Sequence, residues 1–166
     1  MDNEDFIKAM ENFDEFIMNE IIEDIDSKKS YPVGIGYHGE KIHFMHYKDF
    51  PSAKKKWDER KKRINRDNIA IMLTNFGTGL TQQDIQKCTN DRREGGGMTI
   101  VDRFEKLPFK NKIILSGYDL QSKLSFILKG YPDYKSGYTI FRTMNIFGKR
   151  YIDQFDYVGF INKCLE

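Results

Sequence analysis

The sequence is short of several things, and each shortage excludes a class of protein. Cysteine occurs twice, at Cys88 and Cys164, and neither belongs to a C-x-x-C pair. A disulfide framework and a cysteine zinc site are therefore excluded, and a reducing compartment is expected. No apolar run approaches the roughly 18–20 residues that a helix needs to span a bilayer. The opening residues are acidic and show no basic-then-apolar leader, so the expected location is cytoplasmic. Glycine is present, but not in the spacing of a P-loop or a dinucleotide-binding turn. There is no Ser-His-Asp order, no nucleophile elbow and no signature of a nucleic-acid reader, so no specific nucleic-acid partner is expected. What the sequence does contain is aromatic residues, at 14% in a chain of 166 residues. Disordered chains are poor in these, so the composition argues for a packed core of about one domain.

Charge is divided unevenly along the chain. Residues 1–30 carry ten acids and three lysines, a net of −7, and residues 48–66 carry nine bases and three acids, a net of +6. Two solvated faces that attract each other within the fold would account for this. A basic face reserved for an anionic partner would also account for it.

Periodicity predicts a single α/β domain over residues 1–166, with an acidic amphipathic helix in 1–30 and a sheet-containing body in 31–164. Phe6, Met10, Phe13, Ile17 and Ile21 recur at helical spacing. A β-hairpin follows, with arms at 31–37 and 41–47 and a turn at His38-Gly39-Glu40. Residues 51–65 read as a helix that Asp49 or Ser52 can cap. The apolar runs at 68–74 and 112–116 read as buried parallel strands, with helical segments at about 81–91 and 99–106 between them, which makes a βαβ unit. The hairpin and the βαβ unit are expected to share one mixed sheet with flanking helices. Residues 125–128 suit a short edge strand. Residues 153–164 suit a last helix with Phe155, Val158, Ile161 and Leu165 on its inner side.

Candidate site residues cluster in the first half. His43 and His46 lie on the second hairpin arm and are candidate general bases, because imidazole titrates near neutrality. Three residues apart on a strand, they point to opposite faces and do not share a metal ion, so no metal site is expected. His46 should follow Ile42 and Phe44 onto the core face. Trp57, Arg60 and Arg63 lie three apart on the following helix, which can set a guanidinium pair beside an indole, with Tyr47 nearby to stack or pack. Arginine pairs suit phosphate, and they equally suit ion pairs with the acidic first helix. The 75–80 loop leaves the carboxyl end of a strand and enters a helix, so Gly77 and Gly79 are candidate phosphate contacts. Gly34 and Gly36 lie inside a strand and are read as close packing. No cofactor is indicated.

Several strings resemble one bacterial family. Tyr31-Pro32-Val33-Gly34, then His43-Phe44 with His46-Tyr47, then Lys56, Trp57, Arg60 and Arg63 leading into Asn65, Asp67 and Asn68, are similar to domain-of-unknown-function family 1919. Phe104, Leu107, Pro108, Phe109 and Lys112 resemble a later segment of that family, and Phe147-Gly148-Lys149-Arg150 and Asp156-Tyr157-Val158 with Ile161-Asn162 resemble its end. The family pattern opens with a further strand and an Asn-Asn-Cys loop that this sequence does not carry, so a shortened or divergent member is expected. Residues 91–99 look like an insertion. Family members are often labelled exopolysaccharide biosynthesis proteins. The resemblance thus implies a cytoplasmic protein of polysaccharide biosynthesis, transferase-like, binding a nucleotide-sugar or phosphosugar. Two other functions are open: a non-catalytic adaptor whose basic helix docks on an anionic membrane or a biosynthetic enzyme, and an inactive remnant.

Overall fold

The structure is a computed structural model that describes residues 1–74, 99–131 and 143–163. It is α/β, and the chain divides into two compact units, Met1–Arg66 and Asp67–Glu166. The hairpin and the parallel strands do not share a mixed sheet: they form two separate three-stranded sheets, one in each unit.

The first unit opens with α1 (Asn3–Glu11), α2 (Phe13–Met18) and β1 (Ile22–Glu23). The single acidic helix expected over 1–30 is therefore broken. Two asparagines break it in the same way. The Asn12 side chain donates to the Lys8 carbonyl at 3.0 Å, and the Asn19 side chain donates to the Glu15 carbonyl at 2.9 Å. Each side chain doubles the bond that its own backbone N–H makes to the same carbonyl, at 3.2 Å for Asn12 and 3.1 Å for Asn19, and so closes the turn there. The shift in phase turns Ile7, Met10 and Phe16 inward, and the chain after Asn19 extends to pair as a strand.

β2 (Val33–Ile35) lies between β1 and β3 (Lys41–His43), antiparallel to both. The hairpin is shorter than expected. Its ladder ends where Phe44 N–H donates to the Pro32 carbonyl, because proline has no N–H to return. The turn forms as expected, with Gly39 at φ +85°, where a Cβ would be strained. A Cβ on Gly34 would lie 3.1 Å from the Phe44 ring, which is the close packing anticipated inside that strand. α3 (Phe50–Lys61) follows, with the Asp49 carboxylate accepting from Ser52 N–H at 2.8 Å. That N-cap bond holds the Asp49 carboxyl below its usual range.

The second unit is built on β4 (Ala70–Thr74), β5 (Asn111–Ser116) and β6 (Ser125–Ile127), all parallel, with β5 in the middle. The two apolar runs and the 125–128 segment are strands as expected. α4 (Ile100–Lys106) lies between β4 and β5 in the chain and begins with a capping box. Thr99 Oγ1 accepts from Asp102 N–H, and the Asp102 carboxylate accepts from Thr99 N–H. At its other end, Lys112 Nζ donates to the carbonyls of Glu105 and Leu107 at 2.6 and 2.5 Å. Burial lowers the pKa of this ammonium, and the helix-end carbonyls offset the cost of placing it there.

Leu115, Leu128, Tyr131 and Ile152 form the buried core of this sheet, with Met72, Ile113, Phe126 and Phe155 against them. The expected last helix is split into a 3-10 turn (Tyr151–Gln154) and α5 (Tyr157–Asn162). Phe155 is extended, and Asp156 caps a fresh helix by accepting from Gly159 N–H. Only Phe155 keeps the inner position anticipated for it. Val158 and Ile161 are exposed, because the break resets the helical phase. Leu165 lies outside the described residues.

Candidate functional site

The charge blocks of the first unit meet within it. Lys54 lies 3.8 Å from Glu20, Arg66 lies 3.0 Å from Asp14, and Lys61 Nζ donates to the Asn19 carbonyl at 3.0 Å. Lys54 also pairs with Asp58 at 2.9 Å, and Lys56 pairs with Glu59 at 2.9 Å. Much of the basic character of α3 is thus spent inside the unit, on itself and on the acidic segment. Arg60 and Arg63 are exposed, and Arg60 forms no ion pair among the described residues.

Trp57 is not beside the arginines in an open site. Its ring meets Phe16 edge-on at 5.5 Å and Phe44 at 6.3 Å, and Phe44 in turn meets Phe50 at 6.4 Å and Tyr47 at 6.1 Å. These edge-to-face pairs bind α2, α3 and the hairpin into one aromatic wedge. The indole Nε1 is buried within it and has no acceptor among the described residues.

The two histidines part company. β3 ends at His43, and the chain turns at once, with Tyr47 N–H donating to the Phe44 carbonyl. His46 therefore leaves the strand alternation and is exposed, where the core face was expected. His43 is half-buried, with its ring edge-on to Tyr31 at 5.8 Å. Its Nδ1 is buried and has no partner among the described residues. Burial depresses its pKa first, and the chain-terminal ammonium and Lys29 add to this against Asp2 and Asp5. The neutral imidazole is favoured. The third histidine, His38, sits in the hairpin turn with Nε2 2.7 Å from Glu15 Oε2.

An open groove of about 390 Å³ lies at the mouth of the hairpin. Antiparallel register puts it there: Val33 pairs with His43, so the residues before β2 and those after β3 must lie side by side. Asp24, Lys29, Tyr31, Lys48 and Asp49 line it, with the hydroxyls of Ser27 and Ser30. The carboxylates of Asp24 and Asp49 are already engaged, the first by Lys41 at 3.1 Å and the second by the α3 cap. Lys29 and Lys48 are exposed and form no ion pair among the described residues. Glu23 is an exposed acid on the rim.

None of His43, His46, Tyr47, Trp57, Arg60 or Arg63 lines this groove. Phe50 and Pro51 line it from the start of α3, whereas Arg60 sits about 15 Å further along the helix axis at 1.5 Å per residue. Gly77 and Gly79 lie outside the described residues. Among the described residues no three His, Cys, Asp or Glu side chains are grouped to hold a metal ion. No described helix is long and apolar enough to cross a membrane. Sequence reasoning missed Lys29, Tyr31 and Lys48. The signal that could have found them was the register itself, which brings both ends of a hairpin together.

Comparison with known proteins places the chain. The model of a family described as "Domain of unknown function (DUF1919)" matches residues 1–162. The chain belongs to this family. It is 35% identical over 160 residues to an uncharacterized protein of Haemophilus influenzae, with 96% of this chain and 68% of that protein covered. The match to the family spans both compact units.

Proposed function

We propose that this DUF1919 protein acts in the cytoplasm in surface-polysaccharide biosynthesis, and that the hairpin-mouth groove binds a phosphorylated or nucleotide-linked sugar. The observation that carries the reading is the pair of uncommitted ammonium groups, Lys29 and Lys48, lining a groove whose Asp24 and Asp49 carboxylates are tied up. Such a groove offers positive charge to a phosphate, hydroxyls to a sugar and the Tyr31 ring as a flat apolar face. A helix N-terminus alone would not do this here, since Asp49 occupies the cap and Pro51 has no N–H to offer.

In this reading His43, which does not line the groove, packs edge-on behind Tyr31 at 5.8 Å and positions that ring rather than meeting the sugar. Arg60 and Arg63 are released from the phosphate role. Isothermal titration with glucose 1-phosphate and with UDP-glucose tests the claim. We expect binding that falls roughly tenfold, or about 1.4 kcal/mol, in each of Lys29→Ala and Lys48→Ala and is unchanged in Arg60→Ala. Absence of binding to either ligand, or loss in Arg60→Ala alone, would remove the reading.

A second reading rests on a separate observation: Arg60 and Lys62 are exposed and form no ion pair among the described residues. They fit an adaptor that docks α3 on an acidic partner. Such docking weakens steeply with salt, whereas a groove that fixes one phosphate loses less.

A further inference from the structure

The second unit carries an apolar projection that its own core does not use. Residues 143–150 form a tight hairpin closed by a bridge between Met144 and Arg150. At its tip Ile146 is 92% exposed and Phe147 80% exposed, and Met144 is 58% exposed beside them. Single exposed apolar residues need no explanation, but three on one short turn do.

The turn is built to hold them out. Asn145 N–H donates to the Lys149 carbonyl at 2.8 Å, and Gly148 N–H donates to the Asn145 carbonyl at 3.0 Å. Asn145 Oδ1 accepts from Phe147 N–H at 2.9 Å and from Lys149 N–H at 3.1 Å. Gly148 takes φ +74°, which closes the turn. At the base, Arg150 grips Asp153 through two nitrogens, at 2.6 and 3.2 Å, and so fixes the hairpin to the 3-10 turn.

We infer that this tip is a lipid-surface anchor: Ile146 and Phe147 dip into the headgroup–acyl boundary of an anionic membrane while Lys149 contacts lipid phosphates. Two observations favour a bilayer over a protein groove. First, four of the five backbone N–H groups from Asn145 to Lys149 are paired inside the turn, so the tip carries only the Ile146 N–H unpaired into a water-poor layer. Second, the two apolar tip residues stand almost wholly in solvent and are followed by Lys149, which is exposed and forms no ion pair among the described residues. An ammonium with an alkyl stem beside an aromatic ring suits the headgroup layer, where the stem lies in the apolar zone and the charge meets phosphate. This inference does not depend on the groove of the first unit, nor on α3.

Vesicle flotation of the whole chain tests it, using phosphatidylcholine vesicles with and without phosphatidylglycerol, at low and moderate salt. We expect flotation with the anionic vesicles, reduced roughly tenfold or more in Ile146→Ser/Phe147→Ser and less strongly in Lys149→Glu. A Phe147→Trp variant should shift its emission to the blue on the same vesicles and be quenched by brominated acyl chains. These side chains are exposed, so an unchanged circular dichroism melt separates lost binding from lost folding. The proposal is overturned by any of three results: no flotation of the wild type, flotation unaffected by the tip variants but abolished by Arg60→Glu/Arg63→Glu, or indole emission from the Phe147→Trp variant that ignores the vesicles.

Discussion

The two compact units are held together by different means. In the first, the strands are two, three and three residues long, so the ladder contributes little. Long-range side-chain ties do the work instead. They include the edge-on contacts of Trp57 with Phe16 and Phe44, the Lys54–Glu20 and Arg66–Asp14 pairs, and the Lys8 ammonium donating to the His38 carbonyl. In the second unit the parallel strands reach five and six residues, Leu115, Leu128 and Ile152 are almost fully buried, and polar ties add to this, from the α4 caps to the Gln154 side chain on the Lys129 backbone. The first unit buries apolar side chains as well, Ile7, Ile21 and Val33 among them, but its short strands leave an open mouth between strand ends, and there two lysines remain uncommitted. The candidate ligand groove therefore falls where regular structure is poorest, as binding residues commonly do.

The strongest way to break that comparison is to remove one keystone from each unit. Phe16→Ala deletes the ring that joins α2 to Trp57, at a site 3% exposed, and should cost about 3–5 kcal/mol. Amide hydrogen exchange should then quicken first within residues 1–66. Leu115→Ala empties a fully buried position in β5 and should cost about 2–5 kcal/mol, with protection lost first in β4, β5 and β6. If either variant loosens both units equally, the chain is one cooperative block and the contrast between the units is only geometric.

The same contrast explains what could be read from the sequence. The strands of the second unit are legible, whereas residues 117–150 show poor periodicity beyond the 125–128 strand. An apolar run such as Ile71-Met72-Leu73 states its burial directly, and a parallel pair follows once a helical segment stands between two such runs. The helix at 50–61 and the Gly39 turn were legible too, because Asp49 and Gly39 act locally. The breaks at Asn12 and Asn19 were not, since apolar spacing runs on through both and only the side-chain bonds to Lys8 and Glu15 reveal the stops. The expected core-face position of His46 fails for a related reason. Strand alternation was carried past His43, but Pro32 on the facing arm cannot continue the ladder, and His46 is turned outward. Lys29 and Lys48 are nineteen positions apart and share no periodic pattern. Only the pairing of Val33 with His43 brings their segments together, and register is a property of the folded pair.

The smallest expected effect sharpens the comparison further, because all three histidines of the chain lie in the first unit. Burial, reinforced by the positive charges of the chain terminus and Lys29, holds the His43 pKa below the ordinary value near 6.5. The folded state therefore binds this proton less readily than the unfolded chain. Between the depressed pKa and about 6.5 the unfolded state carries more protons, so stability rises with pH. The contribution is complete above about 6.5 and is lost as pH falls through the folded value. His43→Gln abolishes it, so the stability difference between wild type and variant should be largest near neutrality and shrink with acidification. Lys29→Ala removes one of the charges that disfavour the imidazolium and should raise the His43 pKa toward normal. Denaturant melts across this pH range, together with an NMR titration of the His43 ring, measure both. A ring that titrates at or above the ordinary value, or a wild-type–variant difference that stays flat with pH, would show that His43 is solvated, and its packed position behind Tyr31 would be lost with it.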